Sequence, residues 1–452
     1  MRALRSAPSS PFVAGLRTRF RLRSRLAKAR RHDISRNAGW ILAGQIVGFV
    51  LQTAFFILLA RFLGVTEYGR FAGALALSTI LMPYSPLGAG MLFMRYVTGD
   101  ASLAAVYWGN CLTIIAAMTA LISFGLYLLG PLLRLSPDPR LVLVLVVSNC
   151  LCLQIVLCSS TVFQTLNRFR ATAILRLLPY LLRLVVLLGI RPILHHANAL
   201  QWSTGVLASS LFAALISLIW VRAAIGPARI DMGLARKRLS EGGGYSFAGS
   251  TQSTYNDIDK AMLSRYGMNE QNGIYTLAYR IIDMACTPVQ AIDGAALPRY
   301  FKLNRIGFPA VLRSAKKLIP AAALTGLGVG ICTVLAAFAI PHLVGRDFSE
   351  VVIAVRWLCL LPMLRGVHQL AGGAITSAGF QRYRTGGQVF VAVSNIGLNL
   401  WLIPRFGWHG AAWASLASDG ALGMINISML LWLRRALLGV GAATLSATES
   451  VG

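Results

Sequence analysis

The chain of 452 residues is 56% hydrophobic and only 13% charged, where an ordinary soluble domain carries about 25% charged residues; this excludes a typical water-soluble enzyme. Its 43 Lys and Arg face 15 Asp and Glu, a formal net charge of +28. Long apolar runs separate the basic residues, which excludes the basic face over a modest core that a nucleic-acid binder needs, so no nucleic-acid partner is expected. The composition fits an all-α, polytopic membrane protein whose positive charge reports its orientation.

Residues 1–36 hold 11 of the basic residues and a single acid, Asp33. They lack the apolar segment and cleavage site of a signal peptide. The stretch reads as a basic cytoplasmic N-terminal arm drawn to anionic headgroups, at about 1 kcal/mol per basic residue near the surface; a transit peptide would share this composition.

About 20 mainly apolar residues are needed to cross a bilayer as a helix, and by that measure about twelve transmembrane helices are expected. Six lie in an N-terminal bundle, residues 37–222: 37–60, 70–93, 105–130, 140–163, 171–190 and 201–222. Six lie in a C-terminal bundle, residues 244–433: 244–263, 272–297, 318–341, 351–376, 385–403 and 410–433. Residues 223–243 read as a cytoplasmic linker and 434–452 as a cytoplasmic tail. The seventh span is too polar over 246–257 to face lipid, so it must line protein or water. With a cytoplasmic N-terminus, 29 Lys and Arg fall on the cytoplasmic side, 8 on the outer side and 6 within spans. That bias places both termini in the cytoplasm.

No metal, cofactor or hydrolytic site is expected. All seven cysteines lie in apolar runs, where Cys behaves as a small hydrophobe. The sequence holds no zinc-type Cys/His spacing, no Gly-x-Ser-x-Gly, no His-Glu-x-x-His and no Walker-type Gly-Lys-Ser/Thr loop. These absences point to a protein that is not an enzyme and does not itself hydrolyse ATP.

An offset of 204 residues aligns spans 1 and 2 with spans 7 and 8 without gaps. Identities over residues 59–96 are Leu59/Leu263, Arg61/Arg265, Gly69/Gly273, Ala74/Ala278, Gly90/Gly294, Arg95/Arg299 and Tyr96/Tyr300. Six spans per half make the two bundles parallel repeats about an axis along the membrane normal. In such transporters the halves rock around a site near the midplane.

Charges within spans need a partner, a wet cavity or an escape to the interface. Arg176 and Arg183 in span 5 lie on nearly one helix face, with Arg183 near mid-depth; Arg176 is placed either in the cavity or snorkelling to the interface. Asp257, Asp259 and Lys260 cluster in span 7, and Asp257 and Lys260 are spaced to pair. Arg280 and Asp283 repeat that spacing in span 8, and span 10 adds Arg356 and Arg365 on opposite faces. Arg176, Arg183, Lys260, Arg280 and Arg365 are the candidate substrate-binding residues, because a cavity dominated by Arg suits an anion held through bidentate pairs. Asp257, Asp259 and Asp283 are the ion-coupling candidates, since a desolvated carboxyl can take up a proton; ion pairs that fix helix packing are the alternative reading.

The stretches Asn37-Ala-Gly-Trp-Ile-Leu-Ala-Gly-Gln45, Ala60-Arg-Phe-Leu-Gly64, Glu67-Tyr-Gly69 and Phe71 resemble the opening of polysaccharide-biosynthesis flippases of the multidrug/oligosaccharidyl-lipid/polysaccharide exporter superfamily. Asp257-Ile-Asp259 followed by Gly273-Ile-Tyr275-Thr-Leu-Ala278-Tyr-Arg280 is similar to the seventh and eighth spans of that family. The resemblance implies a multi-pass protein of the bacterial inner membrane that translocates an undecaprenyl-diphosphate-linked oligosaccharide for O-antigen, capsule or exopolysaccharide synthesis, by alternating access through a cationic central cavity. A polysaccharide polymerase and a chain-length regulator are the candidate protein partners. Asp257, Asp259 and Arg280 match family positions; Arg176 and Arg183 rest on the charge argument alone. A cation-coupled multidrug exporter and a lipid-linked peptidoglycan-precursor flippase, which usually has fourteen spans, are the alternatives.

Overall fold

The computed structural model describes residues 47–449, apart from 49, 131, 133–137 and 192–196. The basic arm over residues 1–36 and the motif over 37–45 lie outside the described residues. Every regular element described is helical.

Helical residues 50–81 form two limbs, α1 (50–63) and α2 (65–81), on either side of Gly64 at φ +72°. Phe56 and Phe71 line one small pocket, although fifteen residues of straight helix would hold them roughly 22 Å apart at 1.5 Å per residue. The chain therefore doubles back at Gly64, where a left-handed residue without a Cβ meets no steric cost. A turn containing Pro83 and Pro86 then leads into α3 (Ala89–Val97). The N-terminal lobe continues with α4 (Ala104–Leu129), α5 (Pro139–Thr165), α6 (Phe169–Ile190) and α7 (Ala199–Ile225).

The C-terminal lobe comprises α8 (Met232–Arg265), α9 (Asn269–Ala285), α10 (Thr287–Asn304), α11 (Phe308–Ala337), the short α12 (Ile340–Val344), α13 (Val351–Leu358), α14 (Leu361–Ser377), α15 (Gln381–Phe406) and α16 (Trp408–Glu449). Eight helices are long and apolar enough to cross a membrane, or nine with the bent pair Arg346–Leu358 and Leu361–Ser377. The difference from twelve has a physical origin. The stretch Val50–Val97 is one apolar run although the chain folds back within it, and the helices of spans 7 and 8, α8 to α10, are too polar to qualify.

The repeat extends beyond the matched sequence. The second span of each half is interrupted at the 204-residue offset, at Met82–Tyr84 between α2 and α3 and at Cys286 between α9 and α10. An offset of 212 relates the π-helical start at Val147 in α5 to Cys359 at the bend before α14. The same offset relates Asn167 (φ +58°) to Gly379 (φ +90°), which turn the chain out of α5 and α14. Loosened turns inside helices are common at functional positions, and here both halves keep them.

Only residues 226–231 of the segment joining the lobes are non-helical. Asp231 caps α8 by accepting from Leu234 N at 3.0 Å, and its own N–H donates to Asn110 Oδ1 at 2.9 Å. Glu241 accepts from Arg95 and from Tyr96 OH, so the first turns of α8 are fastened to the N-terminal lobe.

Packing differs between the two ends of the molecule. One hydrophobic cluster joins the lobes at the end where α1 meets α2 and α8 meets α9, and it includes Phe55, Leu59, Tyr68, Leu263, Tyr275, Phe348 and Trp408. Toward the other end each lobe has its own core, around Trp108, Ile115 and Val156 in one and around Tyr300, Val311 and Leu370 in the other. At the joined end a Cβ on Gly69 would overlap the Asn269 carbonyl oxygen, and one on Gly273 would overlap that of Val65. Val65 and Asn269 are themselves counterparts at the 204-residue offset. The contact is therefore reciprocal, as expected for surfaces related by a two-fold axis. Glycine lets the backbones meet where burial of apolar area alone gives little drive in lipid.

Candidate functional site

Where the lobes part, a cavity of about 820 Å³ opens. Among the described residues its wall comes from α8, α9, α10, α14, α15 and α16, with Gln52 and Phe56 of α1 on the opposite side. α8 contributes a stretch just past its midpoint, Gly249 to Asp257, and α15 its start, Gln381 to Val391. The cavity thus belongs to the end away from the glycine seam. Three of the lining helices, α8, α9 and α10, are those whose polar sequence makes them poor lipid-facing spans, because their Asp, Gln, Thr and Tyr side chains turn toward this space.

Arg365 is the hub of a polar network. Its Nη1 donates to Asp283 Oδ1 at 2.6 Å, its Nη2 to Tyr279 OH at 2.6 Å and its Nε to Asp419 Oδ2 at 3.4 Å. Asp419 also accepts from Tyr255 OH and lies 3.3 Å from His368 Nε2. A guanidinium held between two carboxylates has little positive charge left to offer a ligand. Replacing it is expected to leave Asp283 unpaired and Asp419 with Tyr255 and His368 alone. Arg365→Met should lower stability by about 3–5 kcal/mol, nearer the lower figure because the Asp283 side chain is 35% exposed. The thermal midpoint of the detergent-solubilised protein reads this directly, and pairing Arg365→Met with Asp419→Asn should recover part of the loss.

Lys260 sits behind the wall. It is 1% exposed, its Nζ donates to Asn256 O at 2.5 Å and Asp257 Oδ1 at 3.0 Å, and it lies 3.9 Å from the Tyr279 ring centroid. Asp259, 2% exposed, accepts from Tyr275 OH at 2.5 Å and Ser415 Oγ at 3.3 Å. Asn272 Nδ2 bridges the Gly69 and Lys260 carbonyls at 2.9 and 3.0 Å, which ties this buried group to the seam. Asp257 reaches the cavity surface; Asp259 and Lys260 do not line it.

Arg280, half-buried, differs from Lys260 and Arg365. It lines the cavity, its guanidinium lies 4.9 Å from the Phe56 ring centroid, and its Nε is buried without a hydrogen-bond partner. Among the described residues it forms no ion pair. Asp257 and Asp283, one on either side of it in the lining, are engaged by Lys260 and Arg365. Both carboxylates lie near enough to act on its charge, but neither is in contact with it, so the guanidinium reaches the cavity without a direct partner, in a setting where an anion would gain far more than at an open surface.

The structure sets Arg176 and Arg183 apart from this space. Arg176 is exposed and bonds Gln164 Oε1 at 3.2 Å. Arg183 turns into the N-terminal lobe, 3.5 Å from Asn149 Oδ1 and 3.4 Å from Ser210 Oγ. Their seven-residue spacing puts them on one side of α6, but that side packs toward α5 and α7, away from the opposite lobe. Sequence reasoning missed Arg384, which lines the cavity, packs over Gly372, bonds Thr376 Oγ1 at 2.8 Å and keeps its Nε unpartnered. It lies one residue before the expected start of span 11 and so reads as a loop charge. The lining holds three Arg and four Asp, namely Asp257, Asp283, Asp293 and Asp419, which is more balanced than the Arg-dominated expectation. No group of His, Cys, Asp or Glu among the described residues is arranged to hold a metal.

Several solved transporters share this architecture. An inward-facing multidrug resistance MATE family transporter of the MOP superfamily superposes with a TM-score of 0.69 at 14% identity, over 87% of this chain and 96% of its own. An outward-facing MATE family transporter of the same superfamily gives 0.58 at 13% identity over 87% and 95%. The lipid II flippase MurJ in an inward closed conformation gives 0.68 at 13% identity over 86% of each chain. Among curated protein sequences no relative matches this chain. Residues 34–304 match the family described as polysaccharide biosynthesis protein. With the two-lobed helical fold, that match over more than half its length shows that the chain belongs to this family, on the architecture of MOP-superfamily flippases and transporters.

Proposed function

We propose that this chain is the flippase that carries an undecaprenyl-diphosphate-linked oligosaccharide from the inner to the outer leaflet of the bacterial inner membrane, for assembly of a surface polysaccharide. The observation that carries the reading is Arg280, a half-buried residue whose Nε is buried without a partner and whose guanidinium, free of an ion pair among the described residues, lines a polar cavity between the lobes. A diphosphate supplies the planar, multiply charged acceptor that such a group holds in bidentate fashion. Family membership supports the polysaccharide assignment.

The positive-inside bias makes the open end cytoplasmic, and the higher similarity to an inward-facing relative than to an outward-facing one agrees with that assignment. The structure then corresponds to the loading state. The headgroup enters from the cytoplasmic leaflet, its charge is met at Arg280, and the prenyl chain stays in lipid. Opening the seam at Gly69 and Gly273 while the cytoplasmic ends close would release the headgroup outward. The Arg365 network keeps α9, α14 and α16 together as one rigid wall during that movement.

A second reading, export of an organic cation, draws on the four lining aspartates. Two of them are bound to Arg365 and one to Lys260, which leaves Asp293 as the acid without an ion pair among the described residues. Deletion of the gene tests both readings. Loss of a surface polysaccharide with accumulation of its lipid-linked oligosaccharide, restored by the wild-type gene, is the expected result. Intact polymer together with new sensitivity to organic cations would favour the exporter.

A further inference from the structure

Five of the chain's eleven glutamines, Gln52, Gln290, Gln369, Gln381 and Gln388, line this one cavity. An amide within a span is costly against lipid and needs a polar partner, yet several of these have none. Gln369 Oε1 is buried and unpartnered. Gln290 and Gln388 make no side-chain hydrogen bond among the described residues, and Gln381 bonds only the nearby hydroxyls of Thr376 and Thr385. On α15, Gln381, Thr385 and Gln388 follow at spacings of four and three, so they share one helix face. Gln290 stands one turn before Asp293 on α10, and both line the cavity. All four lie between Arg280 and the open mouth.

Resting on the flippase reading above, we infer that these glutamines form a glycan subsite, distinct from the anion contact at Arg280. They hydrogen-bond sugar hydroxyls in the cytoplasmic half of the cavity while the diphosphate is held deeper. The chemistry fits hydroxyls better than ions. Each amide offers two N–H donors and a carbonyl acceptor on one side chain, which matches a hydroxyl that both donates and accepts. An inorganic ion or an organic cation would be served by one kind of group alone. Neutral amides also impose no fixed charge, so a bulky polar headgroup can slide out again. The glycan would then point toward the mouth and the lipid end toward Arg280, which assigns a direction to the bound headgroup.

The test uses purified full-length protein and two probes. One is the lipid-linked oligosaccharide extracted from cells that make the protein; the other is undecaprenyl diphosphate, the same prenyl diphosphate without a glycan. Wild-type protein is expected to bind the glycosylated lipid about tenfold or more tightly than the sugar-free lipid. In the Gln369→Leu, Gln388→Leu double variant that preference should fall to near unity, with affinity for the sugar-free lipid retained. Arg280→Gln should weaken binding of both lipids and keep the preference. A double variant that retains the glycan preference, or that loses both lipids equally, overturns the subsite. If wild-type protein binds neither lipid, the flippase reading itself fails.

Discussion

Arg280→Ala is expected to reduce transport of the lipid-linked oligosaccharide by about 10- to 100-fold while the protein still inserts and folds. The magnitude follows from losing one or two charge-assisted hydrogen bonds to a diphosphate, each worth about 1.5–3 kcal/mol. Folding should be nearly unaffected, because Arg280 has no ion pair among the described residues whose loss would orphan a carboxylate. What disappears within the fold is its stacking on Phe56 at 4.9 Å, about 0.5–1 kcal/mol. Arg280→Lys should restore transport only in part, since an ammonium keeps the charge without the planar fork. Transport rate and thermal midpoint measured on the same preparations separate this outcome from that of Arg365→Met, where stability falls first.

The second large effect is expected at the seam. Gly69→Leu or Gly273→Leu places side-chain atoms where the opposite lobe's backbone lies, and a backbone carbonyl cannot step aside as a flexible side chain can. The lobes must separate at that end, which drives the population toward outward-open states. Spin labels at Arg191→Cys and Arg346→Cys, two exposed positions near that end, should report a longer distance in either variant, with transport reduced at least about tenfold. The reciprocal geometry adds a sharper expectation. The two substitutions should act alike, and the double variant should add little, because both break one interface. Unequal effects would show that the two contacts are not a matched pair.

Much of the architecture was legible because membrane crossing imposes a length and a polarity on each segment. The same rule shows where reading stops. A break between spans 1 and 2 was expected between residues 60 and 70, but apolar content alone runs on across Gly64 and hides where the chain turns. The polar seventh span was recognisable as cavity-lining from Ser, Thr, Asn and Asp alone, since those residues have no place against lipid. Arg280 and Asp257 stood out as charges within spans and through the segments that resemble the flippase family.

The spatial partners were less legible. Helical spacing shows that Arg176 and Arg183 share a face, yet it does not say which neighbour that face meets, and in the fold it meets α5 and α7. Arg365 reads as a free cavity cation until Asp283 and Asp419, 82 and 54 residues away, are brought to it. Arg384 was hidden because a one-residue difference in a span boundary decides whether a charge is assigned to a loop or to a helix. The glutamine wall comes from three helices, α10, α14 and α15, and the α1 limb, and no local pattern joins them.

The central claim is movement of a diphosphate-linked glycan lipid through this cavity. Reconstitution of purified protein into liposomes that carry the extracted lipid-linked oligosaccharide tests it most directly, by following the fraction of glycan reached by an added, membrane-impermeant glycosidase. Wild-type protein should expose the protected inner-leaflet pool at a rate well above protein-free liposomes, and Arg280→Ala should remove most of that rate. Exposure no faster than in protein-free liposomes, or equally fast with Arg280→Ala, would contradict it.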